Sequence, residues 1–200
     1  ITVYPQFGGY SGSSAPASGR RISVINDGVL RQIRQIRGIS AVTPVVSLYS
    51  GLMFTLKVGK REYPATLMAV LPQDFARMVK LKSGRFFSAS TGTMEFIMSE
   101  YSMMEFRDPK AADEYVDVYS LLLEEKPLPL PNVNWLAENY TLTMSWEENR
   151  EDAAETDEPI IKSKDYKARM AGILPASLSD MNYAFGAVVN LNWLKHMQRE

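Results

Sequence analysis

The sequence contains no cysteine and a single histidine, and these two absences remove several kinds of site. Without cysteine the chain has no disulfide framework, no thiolate zinc site and no thiol nucleophile. A transition-metal site would have to rely on carboxylates, and a Ser-His-Asp triad would have to use His196 near the C-terminal end of the sequence. The residues therefore predict no enzyme, no metal and no cofactor.

Charge and hydropathy are balanced along most of the chain. Its 22 basic and 23 acidic residues give a net charge of −1, so the basic excess typical of a nucleic-acid-binding protein is missing. No run of about 18 apolar residues is present, so none of these 200 residues belongs to a predicted membrane-spanning helix. The hydrophobic content of 46% is that of a globular domain.

Two segments of biased composition carry no recognisable chemistry. Residues 8–19 are rich in glycine and serine but lack the spacing of a phosphate-binding loop or a nucleophile elbow. Residues 147–158 hold seven acids in twelve positions but lack the ligand spacing of a calcium loop. We therefore predict a flexible loop at the first segment and a solvated loop between two strands at the second.

Hydrophobic periodicity predicts strands mixed with helices. The clearest helix covers residues 24–37, with Ile33 at the centre of its apolar stripe and arginines on the opposite face. Residues 110–125 fit either a helix or a strand. A hairpin is predicted over residues 52–58 and 63–72, strands over 140–146 and 165–174, and a final strand and helix from residue 186 onward. This mixed order predicts an α+β fold.

A proline-rich stretch, residues 126–135, has the sequence KPLPLPNVNW. Its three prolines in five positions favour an extended chain that is unsuited to a central strand. The apolar side chains in this stretch either fold back onto their own lobe, which we favour because a tryptophan is costly to expose, or contact a partner. The candidate partner-contact residues are Leu128, Leu130 and Trp135.

Four short phrases resemble a known family when they are taken in order. They are GISAVTPV at residues 38–45, AVLPQDF at 69–75, LKSGRFF at 81–87 and YKARMAGIL at 166–174. Together they are similar to the MacB-like periplasmic core domain of ABC transporter permeases, the MacB/LolC/LolE/FtsX superfamily. The matched residues are Gly38, Val42, Thr43, Pro44, Val70, Pro72, Asp74, Phe75, Leu81, Gly84, Arg85, Phe86, Phe87, Tyr166, Gly172, Ile173 and Leu174. The resemblance covers nearly the whole chain and is weakest over residues 107–158.

The resemblance implies a particular architecture. It places a porter-like α/β subdomain at both ends of the chain, residues 1–80 and 165–200. A second, mixed lobe, the sabre-like lobe of the family, would be inserted between them over residues 81–164.

The resemblance also implies a function and partners. The domain would lie on the extracytoplasmic side of the bacterial cytoplasmic membrane, between the first two transmembrane helices of a permease, with Ile1 continuing the first helix and Glu200 approaching the second. It would transmit ATP-driven conformational change for export or extraction of a substrate. The implied partners are a cytoplasmic ABC ATPase subunit or domain, a second permease copy and a membrane-fusion or other extracytoplasmic protein. The alternative is a free-standing extracytoplasmic binding or adhesion module.

Overall fold

The structure is a computed structural model that describes residues 27–47, 52–88, 93–111, 118–124, 126–148, 160–176 and 186–197. Residue contacts group the chain into two units, Ile1–Val42 and Thr43–Glu200. The β-branched residues at the start of the sequence also predict a strand at residues 1–4. This segment, the glycine-rich segment and all but the start of the acidic segment lie outside the described residues. Those predictions stay predictions.

The first unit contains helix α1 (Asp27–Arg34) in its described part. An acidic residue opens its first turn and arginines close its last turn, which is the charge order that the helix dipole favours. The guanidinium of Arg34 donates a hydrogen bond to the carbonyl of Val42 at 3.2 Å. Gly38 lies in the turn after the helix with a φ of 91°, a conformation that suits glycine.

The prediction of which residues form the buried face of this helix is wrong at the C-terminal end. Leu30 is the buried residue of α1, whereas Ile33 is only half-buried. Ile36 lies beyond the helix and is 57% exposed. Because the helix ends at Arg34, residue 36 no longer continues the helical periodicity, and the centre of the buried face moves toward Leu30.

We expect Leu30→Ala to lower the free energy of unfolding by about 2 kcal/mol, through lost burial and a small cavity. Ile33→Ala should cost about 1 kcal/mol because part of that side chain is already in water. Arg34→Ala, an exposed control on the same helix, should change it by less than about 0.5 kcal/mol. Urea denaturation checks this order, and an equal or larger loss for Ile33→Ala would contradict the assignment of the buried face.

The second unit contains a nine-stranded mixed sheet in its described part. The strands are β1 (Val46–Ser47), β2 (Leu52–Val58), β3 (Arg61–Pro64), β4 (Leu67–Val70), β5 (Ser83–Gly84), β6 (Met94–Ser99), β7 (Tyr140–Glu147), β8 (Ile161–Leu174) and β9 (Ala187–Asn190). Their order is β1-β4-β9-β6-β8-β7-β2-β3, and β5 pairs with β8 beside this path. With five described helices in the chain, the coarse α+β prediction is confirmed.

Four helices accompany this sheet: α2 (Pro72–Met78), α3 (Glu100–Met104), α4 (Val118–Leu123) and α5 (Leu191–Met197). Proline opens α2, where its missing N–H costs nothing. The side chain of Ser99 caps α3 by accepting a hydrogen bond from the N–H of Ser102 at 3.2 Å. Within the segment 110–125, which fits either a helix or a strand by sequence, residues 118–123 form a helix.

The predicted hairpin is confirmed for β2 and β3 but not for the strand that follows. β4 leaves the hairpin and pairs antiparallel with β1 and parallel with β9. All four residues of β4 and all four of β9 are buried, as expected for paired strands covered on both faces. A second parallel pair joins β6 to β8. These long-range pairings place early and late strands of the second unit in one sheet.

The core lies on both faces of the sheet. The larger cluster includes Phe96, Leu142 and Trp193 on one face. The smaller cluster lies on the other face and combines Ile97 and Val188 of the sheet with Phe75 of α2. Strands from all three predicted ranges, 1–80, 81–164 and 165–200, belong to this one sheet. The domain boundaries at residues 80 and 164 stay a prediction.

Among the described residues, no helix combines the length and the apolar composition that crossing a membrane requires.

Candidate functional site

The candidate site is the place where β5 contacts the second half of β8. Ser83 and Gly84 pair with Ile173 and Gly172. The N–H of Lys82 donates to the carbonyl of Ile173 at 2.7 Å. A similar bond follows Gly84, where the N–H of Arg85 donates to the carbonyl of Ala171 at 2.8 Å. We call this contact and the side chains around it the β5 junction.

Two glycines face each other at the centre of the β5 junction. Gly84 has a φ of 81°, and a Cβ built on it would lie 2.3 Å from the carbonyl oxygen of Ala171. A Cβ on Gly172 would lie 2.8 Å from the carbonyl oxygen of Arg85. Since both obstacles are backbone atoms, the two strands can approach this closely only when both positions are glycine.

Aromatic rings cover the β5 junction on one side. Phe75 of α2 is fully buried, and its ring centroid lies 6.3 Å from those of Phe86 and Phe87. The contact with Phe86 is edge-to-face and that with Phe87 is tilted by 31°, both favourable arrangements of aromatic pairs. These rings fasten the chain after β5 to helix α2.

A hydrogen bond connects α2 to the segment before β1. The N–H of Leu71, the residue that precedes α2, donates to the hydroxyl oxygen of Thr43 at 3.0 Å. This bond satisfies a backbone donor near the start of a helix that has no side-chain cap of its own at Leu71. It joins the phrase at residues 38–45 to the phrase at residues 69–75.

Arg85 and Glu95 form the charged part of the β5 junction. Glu95 lies on β6, and its side chain is only 10% exposed. Arg85 contacts both carboxylate oxygens, with 3.3 Å between its Nη1 and Oε2, and Nη1 also donates to the carbonyl of Phe86 at 2.9 Å. The N–H of Ser88 donates to the same Oε2 at 2.5 Å.

These contacts set the protonation state of Glu95. Burial works to raise the pKa of this carboxyl, but the hydrogen bonds from Arg85 and Ser88 outweigh burial and hold the pKa below its ordinary value. Glu95 also borders a small open recess with Thr93 and Arg169. Because the carboxylate is ionised and engaged by two donors, it fastens the chain after β5 to β6.

We expect Glu95→Gln to lower the free energy of unfolding by about 1 to 2 kcal/mol at neutral pH, since it removes a charge-assisted pair that is exposed on the Arg85 side. A carboxyl whose pKa is lowered by folding stabilises the protein above its unfolded pKa, and this contribution is lost as the pH falls through the folded pKa. The difference between the wild type and Glu95→Gln should therefore shrink below about pH 4.

The matched control for this prediction is Glu62→Gln, since Glu62 makes an exposed ion pair with Lys57 at 3.3 Å. Its effect should stay below about 0.5 kcal/mol. Urea denaturation between about pH 3 and about pH 7, a range that includes the titration of ordinary carboxyl groups near pH 4, provides the measurement. A difference for Glu95→Gln that does not change with pH would show that its carboxylate charge does not stabilise the fold.

The structure separates the three predicted partner-contact residues. Trp135 is buried, and its ring lies 5.3 Å from that of Phe106 in an edge-to-face contact. Leu130 is half-buried against the larger core cluster. Leu128 is half-buried and is not part of that cluster. The positions of Trp135 and Leu130 favour folding back onto the domain, and partner contact stays a prediction.

The backbone of the proline-rich stretch is less extended than predicted. The N–H of Leu130 donates to the carbonyl of Leu128 at 2.9 Å, which closes a three-residue turn around Pro129. The hydroxyl of Tyr140 donates to the carbonyl of Trp135 at 2.8 Å. Burial raises the pKa of Tyr140 strongly, so this hydroxyl stays a donor at any ordinary pH.

The residues considered for catalysis or metal binding do not converge on the β5 junction. His196 is exposed in the last turn of α5. Among the described residues, no group of three or more acidic or histidine side chains is arranged to hold a metal ion. The prediction that the chain is not an enzyme stays a prediction.

Sequence reasoning missed Glu95 as a functional residue. Arg85 was identified through its phrase, but Glu95 is ten positions away and on a strand that is not paired with β5. The pairing of Gly84 with Gly172 was missed for a similar reason, since the two residues are 88 positions apart in the sequence. The available signal was that each of two separate phrases contains a glycine beside large residues.

No family model matches the sequence, and no curated protein matches it either.

Proposed function

We propose that this chain is the extracytoplasmic domain of an ABC transporter permease of the MacB-like kind, located between the first two transmembrane helices. One observation carries the proposal. Single residues of the four phrases that resemble the family are distant in sequence, yet a series of contacts links them: the bond between Thr43 and Leu71, the ring contacts of Phe75 with Phe86 and Phe87, and the pairing of Gly84 with Gly172.

The chemistry of the β5 junction supports a mechanical role. Its members are glycines in close contact, aromatic rings and a carboxylate engaged by Arg85 and Ser88. Such groups hold strands in a fixed arrangement and leave no reactive side chain poised toward a substrate. In the proposed permease dimer, a cytoplasmic ATPase subunit or domain hydrolyses ATP, and this domain passes the resulting movement to exported or extracted cargo.

We further propose the porter-like and sabre-like organisation of the family for this domain. The parallel pairing of β4 with β9 supports the porter-like part, because it joins an early strand to a late strand.

Because these 200 residues contain no cysteine, a cysteine introduced into the domain can be labelled selectively in the full-length gene product once any cysteines outside the domain have been replaced. Ser163 is exposed on β8, so Ser163→Cys should react with a membrane-impermeant maleimide in intact cells. Val188 is fully buried, so Val188→Cys should react only after denaturation.

Hydrophobic segments of about 20 residues should flank the domain in the gene, and an ABC ATPase should copurify with its product.

Two results would contradict the proposal. Labelling of Ser163→Cys only after cell lysis would place the domain on the cytoplasmic side. Labelling in intact cells without flanking hydrophobic segments or a copurifying ATPase would favour the free-standing binding or adhesion module instead.

A further inference from the structure

Within the residues that the structure describes, strand β8 is paired on only one side along its first half. Residues 161–168 pair with β7 on one side, whereas pairing with β6 on the other side begins only at Ala168. Within the described part of the chain, nothing pairs with residues 161–167 on that second side. Alternate backbone N–H and C=O groups there point away from β7 and can pair with another extended chain.

The side chains along this open edge are mostly basic. Lys162, Lys164 and Lys167 are all exposed. Since side chains alternate along a strand, the first two lie on one face of the sheet and Lys167 lies on the other. The one acidic side chain of the stretch, Asp165, accepts a hydrogen bond from the hydroxyl of Thr143 at 2.7 Å and is thus directed toward β7. A strand added at this edge would meet ammonium groups on both faces.

Two of these lysines contact an acidic or an aromatic side chain of the same chain. Lys162 makes an ion pair with Glu148, and both side chains remain partly exposed. The ammonium of Lys164 lies 5.1 Å from the ring centroid of Tyr166. An exposed ion pair can exchange one carboxylate for another at little cost.

Charge decides what can add to this edge. Opposite charges that face each other across neighbouring strands stabilise the pair, and like charges destabilise it. A second copy of this chain would bring lysines close to lysines, so the edge disfavours self-pairing.

We propose that the open edge of β8, residues 161–167, binds an extended segment of a partner protein whose side chains carry carboxylates, by addition of a strand. The open edge belongs to β8 itself and does not depend on the permease proposal.

The test measures binding of synthetic ten-residue peptides to the full chain by fluorescence anisotropy. The first peptide alternates glutamate with threonine, the second replaces glutamate by lysine, and the third is the first with alternate backbone amides methylated. We expect the first peptide to bind, and the other two to bind about tenfold more weakly or worse, because each loses the charge pairs or the backbone hydrogen bonds. Equal binding of the methylated peptide would show attraction of charge without strand addition and would overturn the proposal, as would no binding of the acidic peptide.

Variants of the chain locate the binding edge. A triple variant should reverse the preference, so that the lysine peptide binds more tightly than the glutamate peptide. It combines Lys162→Glu, Lys164→Glu and Lys167→Glu. The matched control makes the same change in charge at three exposed lysines outside the sheet, Lys80→Glu, Lys110→Glu and Lys126→Glu, and should keep the preference for glutamate. An equal effect of both triple variants would overturn the assignment to β8. Self-association of the unaltered chain that the acidic peptide displaces would assign the edge to a second copy instead.

Discussion

Gly84→Ala is expected to lower the free energy of unfolding of the second unit by more than about 3 kcal/mol, because two separate costs add at this position. The φ of 81° is unfavourable for any residue with a Cβ. The new Cβ would also lie 2.3 Å from the carbonyl oxygen of Ala171 and 2.7 Å from the Cα of Gly172. Both are backbone atoms of a central strand, so the β5 junction can accept the methyl group only by separating.

Two other glycines serve as controls because each carries one of these costs alone. Gly59 lies in the turn between β2 and β3 with a φ of 56° and no atom within 4 Å of an added Cβ, so Gly59→Ala should cost about 1 kcal/mol. Gly172→Ala meets the carbonyl oxygen of Arg85 at 2.8 Å without a positive φ and should cost about 1 to 3 kcal/mol. Urea denaturation followed by circular dichroism gives all three values. A loss for Gly84→Ala no larger than that for Gly59→Ala would show that β5 does not press against β8.

Trp135→Ala should cost about 3 to 5 kcal/mol, the usual range for removing a large aromatic side chain from a core. Trp135 is 7% exposed, and its ring contacts that of Phe106, which in turn lies 5.3 Å from the ring of Tyr63. Removing the indole would therefore leave a cavity at one end of a chain of aromatic contacts. Circular dichroism is the appropriate probe, because the substitution itself removes a source of fluorescence.

Leu128→Ala is the matched control from the same proline-rich stretch, and we expect it to cost less than about 1 kcal/mol because Leu128 lies outside the core clusters. This pair of variants also separates the two interpretations of the stretch. A domain that unfolds on Trp135→Ala assigns this residue to the core. Retained folding with lost complex formation in the full-length protein would assign it to a partner surface.

Local structure was largely predictable from the pattern of apolar residues. The alternation in β2 and the continuous apolar runs of β4 and β9 reflect how many faces of each strand are covered. The pairing of these strands was not predictable, because parallel partners such as β4 and β9 are joined by long stretches of chain rather than by a turn. For this reason the sequence indicated a hairpin that included β4, whereas the strand pairs elsewhere.

The candidate site was predictable only in part, for a related reason. The phrases that contain Gly84 and Gly172 could be recognised separately, but no local rule states that their Cα atoms face each other. The engagement of Glu95 by Arg85 likewise depends on the order of strands in the sheet. For Trp135, size alone favoured burial, and the structure places it accordingly.

The length of β8 has a consequence for cooperativity. Its 14 residues belong to two groups of strands, with β7, β2 and β3 along its first half and β6, β9, β4 and β1 along its second half. The larger core cluster draws side chains from both groups, for example Leu142 from one and Phe96 from the other. If β8 detached, both groups would lose a neighbour and part of the same core at once. The second unit should therefore melt in a single transition whose calorimetric and van't Hoff enthalpies agree, with no stage at which one half of the sheet stands alone.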